Sequence, residues 1–144
     1  MKKILIILLI GFVFTAVYAQ MDNPIKQGMP NTVTLSNGEV IYNLQGEWDS
    51  FVEAYGPWSP YGTHRNIIKI TQTSSSFVGI LMMDDEWYSK GWVSIRAELD
   101  KSGFKKVEML TNLGVLDSKG QISDGGNKII IDDGEKRKMT LTRK

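Results

Sequence analysis

The chemistry this chain could perform centres on its single histidine, His64, which is followed directly by Arg65. Both close an aromatic stretch, Tyr55-Gly56-Pro57-Trp58-Ser59-Pro60-Tyr61-Gly62-Thr63-His64-Arg65. Large rings beside a cation suit an amphipathic molecule: Trp58 and Tyr61 would cover its apolar body, and His64 and Arg65 would meet an anionic head. Pro57 and Pro60 stiffen the segment, while Gly56 and Gly62 let it turn. The same composition also describes an Ω-loop that packs its own aromatics and plugs the end of a domain. A second stretch, Asp84-Asp85-Glu86-Trp87-Tyr88-Ser89-Lys90, offers Trp87 and Tyr88 for the same purpose.

Covalent and metal chemistry find less support. There is no cysteine, so thiol catalysis, thiolate ligation and disulfides are excluded, and an exported chain of this kind relies on packing alone. One histidine without cysteine makes a poor transition-metal centre. Asp84-Asp85-Glu86 lacks the alternating oxygen spacing of a Ca²⁺ loop, and Asp132-Asp133-Gly134-Glu135 reads as a hairpin turn; both acidic clusters are expected to be solvated. Ser123-Asp124-Gly125-Gly126 lacks a phosphate-binding pattern and precedes a strand. No activated acid–base pair is visible, so no catalytic residue, metal or cofactor is expected.

The chain starts with Lys2 and Lys3, an apolar run from Ile4 to Phe14, and Val17-Tyr18-Ala19. This is the pattern of a secretory signal peptide over residues 1–19, cleaved after Ala19. The run is shorter than the roughly 20 residues of a spanning helix, so no stable membrane anchor is expected, and the product would be periplasmic or extracellular. Without Lys2 and Lys3, 15 of the 17 basic residues face 16 acidic ones. That balance offers no nucleic-acid footprint. Lys105-Lys106 and Lys136-Arg137-Lys138 each neighbour acidic residues and read as solvated strand faces.

The elements that must position the aromatic stretches are strands. Residues 20–44 form an extension in which Thr32-Val33-Thr34-Leu35 and Val40-Ile41-Tyr42 flank Ser36-Asn37-Gly38-Glu39, a hairpin signal. That hairpin either extends the main sheet or caps one of its ends. From residue 45 to 144 the chain alternates strand and turn with no helical period. Eight strands are expected, over 46–54, 66–73, 77–83, 91–99, 104–111, 114–118 (extending toward 122), 128–132 and 136–143. In the fourth, Val93, Ile95, Ala97 and Leu99 share one face and Ser94, Arg96 and Glu98 the other, with Trp92 outward. Short strands and tight turns fit an all-β fold, an up-and-down barrel or a sandwich; closure removes sheet edges and favours the eight-stranded antiparallel up-and-down barrel. In that order compact turns gather at one end and the two aromatic connections at the other.

Gly46-Glu47-Trp48, opening the first barrel strand, and Met139-Thr140-Leu141-Thr142-Arg143, the last strand, resemble the lipocalin family over about residues 45–144. The first and last strands of a closed barrel pair antiparallel, which places Arg143 beside Trp48 where its guanidinium can cover the indole. Gly46, Trp48 and Arg143 are thus expected to form the barrel seam. The chain lacks the Thr-Asp-Tyr motif, the helix after the last strand and the disulfide of ordinary lipocalins, and looks more like compact bacterial lipocalin-like domains. Avidins, with Gly-x-Trp in a short eight-stranded barrel, are a related comparison, but no biotin-binding polar set matches here.

The resemblance implies a non-enzymatic carrier of a small apolar or amphipathic ligand. An eight-stranded barrel is either filled by side chains or holds one small ligand. Ile68, Ile70, Ile95, Met109, Ile130 and Leu141 would fill it or line a pocket. A filled barrel would instead be an interaction module presenting its aromatic loops to a protein or a cell-envelope glycan.

Overall fold

The computed structural model describes residues 31–144, so the expected signal segment 1–19 and the start of the polar extension lie outside the described residues. Ten strands follow one another: β1 (Thr32–Thr34), β2 (Val40–Tyr42), β3 (Gly46–Ala54), β4 (Thr63–Thr73), β5 (Ser76–Leu81), β6 (Val93–Asp100), β7 (Gly103–Thr111), β8 (Gly114–Ser123), β9 (Lys128–Asp132) and β10 (Arg137–Arg143). Strands β3 to β10 close into an eight-stranded antiparallel barrel in chain order, with β10 returning to β3. Every barrel strand therefore has two neighbours, and no edge is left open to a foreign strand.

Alternation drives the inward face. Trp48, Ile68, Ile95, Met109, Ile131 and Leu141 are all fully buried, and burial of such side chains contributes on the order of 1.5–3 kcal/mol each. Five of the six expected interior residues point inward, but Ile130 is only half-buried. Ile129-Ile130-Ile131 carries no alternation of its own. Pairing with β10 sets Ile131 opposite Met139 and Ile129 opposite Leu141, and those two face the core, leaving Ile130 on the outside. A second correction concerns Ser94, expected outward with Arg96 and Glu98. The register against β5 shifts so that Gly79 faces Ile95 but Ile80 faces Val93. Ser94 is the extra residue of this bulge; it is buried, and its hydroxyl donates to the Gly79 carbonyl at 3.4 Å.

The β1–β2 hairpin caps the barrel and does not extend it. Ile41 and Leu44 enter the core. The Glu39 carboxylate accepts from the Lys101 amide in the β6–β7 turn, and the Asn31 amide donates to the Gly125 carbonyl after β8. Gln72 on β4 locks the linker: its carbonyl accepts from the Leu44 N–H at 2.8 Å and its amide donates to the Tyr42 carbonyl at 2.9 Å.

The seam lies at the same end. Arg143 pairs with Trp48, and its guanidinium carbon stands 4.4 Å from the indole centroid. The indole N–H donates to the Leu44 carbonyl at 2.9 Å. Arg143 donates to the carbonyls of Gln45, Asn43 and Gly126, tying strand, linker and turn together.

Candidate functional site

The other end carries the long connections. After β3 the chain makes a 3₁₀ turn over Gly56–Tyr61, with no buried residue in it. Trp58 meets Tyr61 edge-on at 6.1 Å between centroids, and Tyr61 meets Trp87 edge-on at 5.2 Å. Tyr88, on the same β5–β6 connection, leans on Trp92 at 5.2 Å. The aromatic residues of the two long connections thus converge into one rim, an arrangement favoured by the opposed charge of ring edges and faces. Tyr61 is 45% exposed and Trp87 39%, so the rings form a wall and leave the mouth open.

That wall encloses a pocket of 190 Å³. Val52 and Ala54 of β3 line it, as does Leu113 in the β7–β8 turn, together with Trp58, Tyr61 and Trp87. Its polar members are His64, Arg137, Asn112 and the Tyr88 hydroxyl group's residue. Register explains the depth. Arg137 pairs with Ala54, one layer above His64, Val52 and Met139, while Ser50, Asn66 and Leu141 lie one layer further in. Below them Trp48 and Ile68 close the interior. The barrel is therefore packed through its lower part, with a cup at its open end.

The sequence-predicted site residues separate here. Trp58, Tyr61, His64, Trp87 and Tyr88 line the cup, but Arg65 does not. Strand β4 starts at Thr63, earlier than expected, so His64 and Arg65 are consecutive strand residues and point to opposite faces. His64 turns inward with Asn66 and Ile68; Arg65 lies outside, its guanidinium 4.7 Å from the Phe51 ring on β3. The guanidinium in the cup belongs to Arg137, which belonged to a basic triplet read as solvated. Parity along β10 is the signal that could have found it: Arg137, Met139, Leu141 and Arg143 share one face of the strand.

Arg137 is only 6% exposed. It donates to the Tyr88 hydroxyl at 3.2 Å and approaches His64 Nε2 at 3.5 Å, with the Tyr88 ring centroid 5.5 Å from its guanidinium carbon. Its Nε–H has no partner, and among the described residues no carboxylate lies within 4.0 Å of it. Burial pushes the His64 imidazole below its ordinary 6.5, and the Arg137 charge pushes it further, against a weaker pull from Asp85 and Glu86. A guanidinium only donates, so a hydrogen bond between the two requires Nε2 to accept.

The acidic clusters are not simply solvated, as expected, but brace the rim. Asp85 accepts from the Trp87 and Tyr88 amides and from the Asn66 side chain. Asp133 accepts from the amides of Glu135, Lys136 and Arg137. Burial alone would raise its carboxyl, yet these donors hold it below the usual value. Tyr55 donates its hydroxyl to Asp132, joining the β3–β4 connection to the end of β9. Among the described residues no three His, Asp or Glu side chains converge on a metal position.

A larger void of 440 Å³ lies at the capped end between the β1–β2 turn and the β6–β7 turn. It is a polar surface groove flanked by Glu39, Glu98 and Asp100, and no buried charged side chain points into it. The rim cup is the stronger candidate. The chain matches no family model, and comparison with curated proteins and with solved structures returns no match.

Proposed function

We propose that this chain is an exported, non-enzymatic binding protein of lipocalin-like type that takes one small amphipathic molecule at the open rim of its barrel. The observation that carries this reading is the aromatic cup over a packed interior, with a nearly fully buried arginine lining it. The Gly46-x-Trp48 and Arg143 seam supports the lipocalin-like assignment, and Lys2-Lys3, the apolar run and Val17-Tyr18-Ala19 support export. His64 fits this reading as a lining group, its Nε2 turned toward Arg137 at 3.5 Å.

Amide and side-chain NMR of the purified chain, titrated with a panel of small amphiphiles, tests the reading. Shifts clustered on Val52, Trp58, His64, Trp87 and Tyr88 are expected. Perturbation only on the outer faces, or none with any compound, would refute it. A second reading, an interaction module, draws on the packed lower barrel and on Leu113, which is 64% exposed beside the cup. It predicts that Leu113→Ser, in the cup's own wall, weakens partner binding, and that Val115→Ser, exposed and outside the cup's lining, weakens it as well while leaving the cup's response to small molecules intact.

A further inference from the structure

Resting on the rim-binding reading, we infer that the cup selects a compact monoanion, a ring-sized carboxylate, and that Arg137 is the group that recognises it. A buried guanidinium without a counter-ion is costly to the fold. Here its neighbours are neutral: the Tyr88 hydroxyl and an imidazole kept in its neutral form. Its Nε–H is unpaired, as is that of Arg143, so the two arginines differ at their terminal nitrogens, which meet three carbonyls in Arg143 but a hydroxyl and an imidazole in Arg137. The nearby acids are not paired with it: Asp85 accepts from two amides and Asn66, and Asp133 from three amides of its own loop. A carboxylate entering past Trp58 would supply the missing charge and accept from the guanidinium edge in the short, charge-assisted geometry that arginine favours. A second cation stands at the mouth, with Lys136 Nζ 6.0 Å from the Trp58 ring centroid. Lys136 pairs with Glu135 at 3.7 Å, and the exposed Glu86 is near enough to pull weakly on His64.

Size sets the other half of the specificity. A cup of about 190 Å³ lies below the roughly 300–1,000 Å³ of sites that take drug-sized ligands, and suits one planar ring with its carboxylate. The buried layer of Trp48, Ile68 and Leu141 beneath it denies a long acyl chain any path down the axis. Each methylene that did find burial would tighten binding about fourfold.

The test uses the full mature chain with benzoate, benzamide and benzylamine as probes, followed by calorimetry and by the arginine Nε–H resonances. Benzoate is expected to bind at least about tenfold tighter than benzamide, with benzylamine weakest. The Arg137 Nε–H resonance should move with benzoate while that of Arg143, at the far end of the same strand, stays in place. R137M should reduce benzoate to the affinity of benzamide, and the resonance measurement on the unmodified chain decides the matter if that variant does not fold. Lengthening hexanoate to dodecanoate should leave affinity flat. Equal binding of benzoate and benzamide would overturn the anion inference and leave the rim-binding reading standing. A fourfold gain per methylene would overturn the compact-ligand inference. No binding of any probe at the rim would overturn both.

Discussion

Arg137 and Arg143 open and close β10 on the same inward register, yet they meet opposite fates. Arg143 covers Trp48 and gives its terminal nitrogens to three backbone carbonyls. Arg137 has a phenol hydroxyl and an imidazole instead. One spends its terminal nitrogens in closing the barrel; the other turns them to the side chains of the cup. The difference follows from the ends they occupy, since the capped end brings carbonyls from the linker and the β8–β9 turn onto the guanidinium plane. The open end brings side chains.

The seam makes the first prediction. Truncating Trp48 to Ala should destabilise the fold by about 3–5 kcal/mol, read from urea or thermal unfolding. A cycle of Trp48→Leu and Arg143→Met should return a coupling of about 0.5–2 kcal/mol for the stacked pair. Arg143→Met alone should cost more than that coupling, because it also strands the carbonyls of Asn43, Gln45 and Gly126. A coupling indistinguishable from zero would remove the stacking contact from the account.

Gly56 makes the second. It holds φ at +52° and its missing side chain faces the Glu135 carbonyl, so a methyl there would collide with backbone. Gly56→Ala should cost about 1–3 kcal/mol and broaden the Trp58 and Lys136 resonances, because the β3–β4 and β9–β10 connections meet at this point. The Tyr55 N–H to Lys136 carbonyl bond, 2.8 Å, is the tie most exposed to the change. Unchanged stability and a sharp Trp58 signal would contradict this close approach.

His64 makes the third. Its folded-state value lies below 6.5, so the unfolded chain takes up a proton more readily. The stability it confers is complete above about pH 6.5 and is lost as pH falls through the depressed value. Urea midpoints should therefore fall between pH 7.5 and 5, and His64→Gln should flatten the part of that slope due to this residue. Bound benzoate, by adding a negative charge near the ring, should raise the His64 midpoint in a proton NMR titration.

Tyr55 makes the fourth. Its hydrogen bond to Asp132 pushes the phenol up to about 12, with burial and the Asp132 and Asp133 charges adding to it. Alkaline titration followed by ultraviolet absorbance should show one tyrosine ionising at about 12, and Asp132→Asn should bring it back toward 10.0. If Tyr55 instead ionises near 10.0, the bridge between the two connections is absent in solution.

The barrel was legible because its strands alternate and its turns carry Gly, Asp and Ser where tight reversals need them. The seam was legible for a topological reason: in any closed antiparallel barrel of this order the first strand starts beside the end of the last. What alternation could not decide was a uniform run such as Ile129-Ile130-Ile131, or a strand with an extra residue such as Ser94. There neighbouring strands choose the face.

The same reason divides the candidate site. Residue types alone indicated the aromatic rim, since Trp58, Tyr61, Trp87 and Tyr88 sit in the two longest connections. His64 and Arg65, adjacent in sequence, pointed to one shared task, yet the start of β4 at Thr63 sends them to opposite faces. The cation of the cup came from β10, a strand 73 residues after His64, within a triplet that resembles an ordinary solvated face. The sequence by itself determined the strands, the closure and which rim is aromatic, because these depend on local periodicity and chain order. Only the tertiary structure decided which arginine is inside and what it lacks, because burial and pairing are set by neighbours distant in the chain.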